Sequence, residues 1–213
     1  MFITPFHSQT IPGKVHQEAR LETKNAKAAV YFDHEDKEII YETEGLVVAL
    51  FGGTYLVNGP GEEERITEFA EMIKNAGGII MNGALGGSME LSAKTAPDNT
   101  LGITTPIFHA AENKYGVKAA VDSLVTRRAL LTYAPIAVAV PGSLGTFNEI
   151  IATLLELREQ ANLGAFAPHY VFVHEWWRKY LNELMKSDLI DDDIEIRFRF
   201  FKEVSEIKQV LEL

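Results

Sequence analysis

Residues 136–149, Ile136-Ala137-Val138-Ala139-Val140-Pro141-Gly142-Ser143-Leu144-Gly145-Thr146-Phe147-Asn148-Glu149, pass from a wholly apolar run through a glycine loop into the start of a helix. Five apolar residues bounded by Pro141-Gly142 read as a buried parallel strand, and the spacing of Ile150, Ile151, Leu154 and Leu155 predicts an amphipathic helix. Between them, Gly142-Ser143-Leu144-Gly145-Thr146 offers little side-chain bulk, so backbone N–H groups can approach a ligand closely. A helix N-terminus carries unpaired N–H groups and the positive end of the helix dipole, a combination that favours phosphate. Glu149, one turn into that helix, is placed to face whatever the phosphate anchors.

Outward from this segment, strands and helices alternate. Leu46–Phe51, Ile79–Asn82, Leu101–Thr105 and Tyr170–Val173 read as strands, with a short one at Ala119–Ser123 and a last one around Arg197–Lys202. Glu62–Asn75, Ser88–Ala96, Thr126–Tyr133 and Trp176–Ser187 read as helices, and a short final helix is expected with Ser205 as its cap. Residues 107–117 read as irregular. This order predicts an α/β, Rossmann-like, doubly wound fold, with a mostly parallel sheet and helices on both faces.

Residues 1–24 show no clear periodicity and are expected to form an arm. Ala28–Phe32 and Glu38–Glu42 alternate well enough for a hairpin around Asp33-His34-Glu35-Asp36. The expected division is therefore an N-terminal extension over residues 1–45 and a nucleotide-binding domain over residues 46–213.

Three glycine-rich turns fall at strand carboxyl ends: Gly52-Gly53-Thr54, Gly83-Ala84-Leu85-Gly86-Gly87 and Gly142–Thr146. In open parallel sheets that is where ligands sit, so the turns together predict one nucleotide site. The second turn lacks G-x-G-x-x-G spacing and no ribose-binding acid follows it, which argues against a two-strand NAD site; no Gly-Lys-Ser/Thr follows any of these glycines, so a P-loop is absent. Arg127 and Arg128 precede the key strand, and guanidinium groups near an anion loop suit bidentate phosphate binding.

Composition narrows the chemistry. With no cysteine, disulfides, thiolate zinc sites and cysteine nucleophiles are excluded. The six histidines show no metal-ligand spacing, so no metal is expected. A net charge of −10 argues against non-specific nucleic-acid binding, and no apolar run approaches the roughly 20 residues of a membrane helix. The first residues lack the pattern of a signal peptide, and a cytoplasmic location is the expectation. Ser143 has no evident His/Asp partner for a hydrolase triad, Asp191-Asp192-Asp193 reads as a solvated turn, and Trp176-Trp177 as core or interface packing rather than a base-stacking platform.

The segment Pro141-Gly142-Ser143-Leu144-Gly145-Thr146-Phe147-Asn148-Glu149, preceded by Leu124-Val125-Thr126-Arg127-Arg128, resembles two motifs of the LOG ("Lonely guy") family, the cytokinin-activating phosphoribohydrolases. Asn82–Glu90 approximates the family's glycine-rich segment, and the similarity in element order runs from about Leu46 to the C-terminus. The resemblance implies a homodimer without cofactor that hydrolyses the N-glycosidic bond of a nucleoside 5′-monophosphate, AMP or an N6-modified AMP, to free base and ribose 5-phosphate. By motif position Arg127 and Glu149 match the catalytic pair, and Gly142, Ser143, Leu144, Gly145 and Thr146 the phosphate loop. Gly52, Gly53, Thr54, Gly83, Gly86 and Arg128 complete the expected substrate-binding set. The chain departs from the family at Ser143, which replaces a glycine, at Val125, which replaces a histidine, and at Glu90. Relatives that carry molybdenum cofactor or sense nucleotides make non-catalytic binding the alternative reading.

Overall fold

Leu46-Val47-Val48-Ala49-Leu50-Phe51 sends alternate side chains to opposite sides, and both sets are buried. Val47, Ala49 and Phe51 enter one core, while Leu46, Val48 and Leu50 enter another. A strand apolar on both faces belongs in the middle of a covered sheet. The computed structural model, which describes residues 4–56, 61–163, 170–185 and 197–213, shows this arrangement.

The strands of the described chain are β1 (Thr4–Ile11), β2 (Val15–Gln17), β3 (Ala19–Glu22), β4 (Ala26–Asp33), β5 (Glu38–Gly45), β6 (Val47–Phe51), β7 (Ile79–Asn82), β8 (Thr100–Thr104), β9 (Val117–Val121), β10 (Ile136–Ala139), β11 (Tyr170–His174) and β12 (Phe198–Phe201). The helices are α1 (Glu62–Asn75), α2 (Ser88–Thr95), α3 (Leu124–Thr132), α4 (Leu144–Leu163), α5 (Arg178–Met185) and α6 (Val204–Leu211). The main sheet runs β12-β11-β10-β6-β7-β8-β9-β2, parallel throughout except for β2 at its edge. From β6 the chain works outward to β9, then returns to β10 on the other side of β6. That reversal is the topological switch point, and it opens a crevice at the carboxyl ends of β6 and β10.

Helices α1 and α6 pack on one face through Ile66, Phe69, Ile73, Val204, Ile207 and Leu211. Each such side chain contributes roughly 1.5–3 kcal/mol by burial. The apolar stripe of α1 ends where Gly77 takes a left-handed φ of 68° and donates to the Lys74 carbonyl. On the opposite face α3, α4 and α5 bury Leu130, Leu131, Ile150, Leu154, Leu157 and Leu181.

A second sheet, ordered β1-β5-β4-β3, covers the β6–β9 half of that same face. Its inner side adds Ala28, Val30, Ile39 and Tyr41 to the shared core, and the Tyr41 hydroxyl donates to Met81 Sδ at 3.1 Å. The expected hairpin is present as β4 and β5. The expected arm is not: residues 4–22 are three strands, one of which, β2, joins the edge of the main sheet. Their periodicity is faint because β1 and β3 are edge strands with much of their length exposed.

Other boundaries also shift. Residues Pro106–Ala111 form a 3-10 helix rather than an irregular stretch. Helix α3 begins at Leu124, two residues early, because Ser123 caps it by accepting from the Thr126 N–H. The last helix is capped by Glu203 and Glu206 in a reciprocal box, not by Ser205, which lies inside its first turn. The end of the expected Trp176–Ser187 helix and Asp191-Asp192-Asp193 fall outside the described residues.

Candidate functional site

The crevice brings the three glycine turns together, with different jobs. Ser88, at the start of α2, donates its N–H to the Gly53 carbonyl at 3.2 Å, and the Gly53 N–H lies against Gly142. Gly52 leaves room for Ser88: a Cβ there would stand 2.7 Å from the serine hydroxyl. Gly142 leaves room for the Thr146 side chain. Both hydroxyls, Ser88 Oγ and Thr146 Oγ1, are buried without a hydrogen-bond partner. Two unsatisfied donors next to the first turn of the 20-residue helix α4 suit a polar, anionic ligand there. Ser143, Leu144 and Gly145 are exposed, and the Ser143 hydroxyl accepts from the Gly145 N–H at 3.3 Å. Thr54 is exposed as well, at the rim.

The second turn is interior. Asn82 Oδ1 accepts from the Ala84 N–H at 2.9 Å, and Asn113 donates its backbone N–H to the Ala84 carbonyl and its Nδ2 to the Leu85 carbonyl, at 2.8 Å each. Ala84 is buried with a left-handed φ of 58°. Gly83 is required because the Arg127 guanidinium occupies the place of its Cβ, and Gly86 sits against the Thr54 carbonyl.

Arg127 projects from α3 into the end of the sheet and is 8% exposed. Its Nε donates to the Ile103 carbonyl at 2.9 Å and its Nη2 to the Gly83 carbonyl at 3.0 Å. Nη1 stands 3.8 Å from Glu149 Oε1, and the Phe108 ring covers the guanidinium at 5.5 Å. Carbonyls at the ends of β7 and β8 therefore fix this arginine and turn its remaining donors toward Glu149. Burial lowers its pKa, opposed by Glu149.

The Glu149 side chain is 17% exposed. Burial pushes its carboxyl up to about 7, with Arg127 and Arg128 pulling the other way. A carboxylate that titrates near neutral pH in a crevice suits proton transfer or charge stabilisation. Arg128 is half-buried on the neighbouring position of α3.

Residues that the sequence reading passed over join the site. Ser88 was hidden because a serine opening a helix reads as an ordinary cap. Phe108 lay in a stretch without periodicity. Beside Gly142–Leu144, Phe147, Trp176, Trp177 and Tyr180 line an aromatic cleft. Trp177 is core, as expected from the sequence, and its Nε1 donates to the Val140 carbonyl at 2.9 Å. Among the described residues no group of three or more acidic, histidine or cysteine side chains is placed to hold a metal, and no helix is long and apolar enough to cross a membrane.

No protein-family model matches the sequence, and no curated protein matches it significantly. Solved structures do match. The molybdenum cofactor binding protein of the phototrophic bacterium Rippkaea orientalis aligns over 78% of this chain and 95% of its own, at 13% identity and a TM-score of 0.58. The molybdenum cofactor carrier protein of Chlamydomonas reinhardtii aligns over 79% and 99%, at 14% identity and 0.55. DNA processing protein A of Helicobacter pylori aligns over 97% and 96%, at 15% identity and 0.54. What the chain has in common with these proteins is the fold, a Rossmann-like parallel sheet between helices.

Proposed function

We propose that the crevice binds a nucleoside 5′-monophosphate, AMP or an N6-modified AMP, and hydrolyses its N-glycosidic bond. The observation that carries this reading is Glu149: a carboxylate with a near-neutral pKa, facing a fixed guanidinium, one turn from an open phosphate-type loop. The first turn of α4 takes the 5′-phosphate through its N–H groups, with Thr146 and Ser88 as added donors. That anchor uses remote binding energy to set the ribose against Glu149. As the bond between the base and C1′ breaks, positive charge develops on the ribose, and the ionised Glu149 stabilises it. Water oxygen bonds to C1′ as the base departs with the bonding pair; Glu149 takes the proton from the water, and the base takes one from solvent. Arg127, saturated on one side by two carbonyls, is best placed to orient Glu149 and the base side of the ligand.

The homodimer is proposed on the same footing. Leu124 and Val125 on α3 and Leu155 on α4 are large, apolar and exposed on the outer side of the helical layer, as a self-complementary interface requires. A non-catalytic reading has its own support: the matched structures include proteins named for binding or carrying molybdenum cofactor. Incubation with a panel of nucleoside monophosphates, followed by chromatography, separates the two. Free base from wild type but not from Glu149→Gln supports hydrolysis; bound ligand returned intact supports the carrier.

A further inference from the structure

The aromatic cleft lies on the side of the α4 N-terminus away from Arg127. Phe147 and Glu149 stand two residues apart on α4 and therefore face nearly opposite directions. Glu149 faces α3 and the β7–β8 side, whereas Phe147 stacks on Trp177, centroids 5.7 Å apart at 26°, on the β11 side. The cleft measures about 250 Å³ and shares Gly142, Ser143 and Leu144 with the phosphate-type loop. Its walls are rigid: Trp177 is pinned by its indole bond to Val140, and Trp176 meets it edge-on at 4.6 Å. Tyr180 closes the far side at 5.6 Å from Trp176, and Leu144, 84% exposed, forms the lip. Lys179 Nζ lies 4.6 Å from the Tyr180 ring.

We infer that this cleft receives a second planar aromatic ring, carried on the far side of the phosphate from Glu149, so that the preferred ligand is a dinucleotide-type compound in which phosphate joins two ring-bearing groups. This rests on the phosphate-loop reading above. A single nucleotide held at the loop with its ribose toward Glu149 leaves the cleft empty. A ligand esterified further at the phosphate reaches it directly, because the loop itself is the cleft's inner wall. Aromatic rings and a nearby cation are what a nucleobase stacks on.

The chain's two tryptophans both lie in this cleft, so intrinsic fluorescence reports on it. The test titrates full-length protein with AMP, ADP and diadenosine diphosphate; the last two each carry two phosphates, and the second adenosine esterifies the terminal one at the loss of one negative charge. Diadenosine diphosphate should bind at least about tenfold more tightly than ADP and quench the tryptophans more deeply, in line with one stacked base. Tyr180→Ala, at a position 46% exposed, should bring that ratio to about one, and Tyr180→Phe should restore it. Equal affinities for ADP and diadenosine diphosphate, with both weakened by Gly145→Asp, overturn the cleft and leave the loop standing. Absence of binding by all three ligands overturns both. A change of sedimentation coefficient in Tyr180→Ala without a change in the ratio makes the cleft a protein interface, which also overturns the inference.

Discussion

The turn after β7 and the turn after β10 look alike as sequence, and the fold uses them differently. Gly83–Leu85 is buried and bonded by two asparagines, and the Arg127 guanidinium fills the place beside Gly83. Its glycines make room for protein. Gly142–Thr146 leaves Ser143, Leu144 and Gly145 in solvent at the first turn of a long helix, and a Cβ on Gly145 would find only Ser143 Oγ, at 3.7 Å. Of its two glycines, Gly142 makes room for Thr146, whereas Gly145 faces open space. Glycine enrichment alone does not separate a scaffold turn from a ligand turn; the volume beside each glycine does.

The largest expected effect tests this contrast on turnover. Glu149→Gln should lower base release by about 10²–10⁴-fold while nucleotide affinity stays within a few-fold, because the lost charge acts in the transition state. Wild-type turnover in this variant would remove Glu149 from the mechanism. Next comes the scaffold turn. Gly83→Ala forces Arg127 out of its place, an overpacking cost of about 1–3 kcal/mol in chemical denaturation. Gly145→Ala should leave stability unchanged or raise it by about 0.5–1 kcal/mol, since its space is free and the backbone is helical. Equal losses at the two positions would erase the distinction.

A third effect is electrostatic. Gly145→Asp puts an acid in the first turn of α4, where it should stabilise the helix by about 0.3–1 kcal/mol and repel phosphate. AMP affinity by calorimetry should fall at least about tenfold while the melting temperature holds. Unchanged affinity would place the phosphate elsewhere.

A further effect is on pH. Turnover should rise with pH through about 7 as Glu149 ionises. Stability responds with the opposite sign. The folded protein holds this proton more tightly than an unfolded chain, whose glutamate titrates near 4.5, so this group's contribution is full below 4.5 and is lost as pH rises through about 7. The swing is up to about 3 kcal/mol and should vanish in Glu149→Gln. Melting curves of both proteins between pH 5 and 8.5 measure it, and parallel curves would contradict the burial of the carboxyl.

The parallel sheet was legible because central strands buried on both faces leave continuous apolar runs, as at Leu46–Phe51 and Ile136–Val140. The switch point could be inferred once three glycine turns were seen at strand ends. What stayed hidden were β1 and β3, the exposed edge strands of the covering sheet, whose alternation is weak, and the roles of single residues set by tertiary contact. No spacing rule predicts that Gly83 exists to admit Arg127, that Ser88 underlies Gly52, or that Tyr180 closes a cleft against Trp176. Arg127 itself was found by motif, but its fixation by the Ile103 and Gly83 carbonyls is a property of the folded sheet.

The measurement that tests the account most directly is a crystal structure of Glu149→Gln with AMP, at concentrations where wild type turns it over. The account predicts phosphate oxygens within hydrogen-bond reach of the N–H groups of Leu144, Gly145 and Thr146, and the ribose C1′ facing residue 149. Phosphate lodged elsewhere, or a ribose turned away from residue 149, would contradict it.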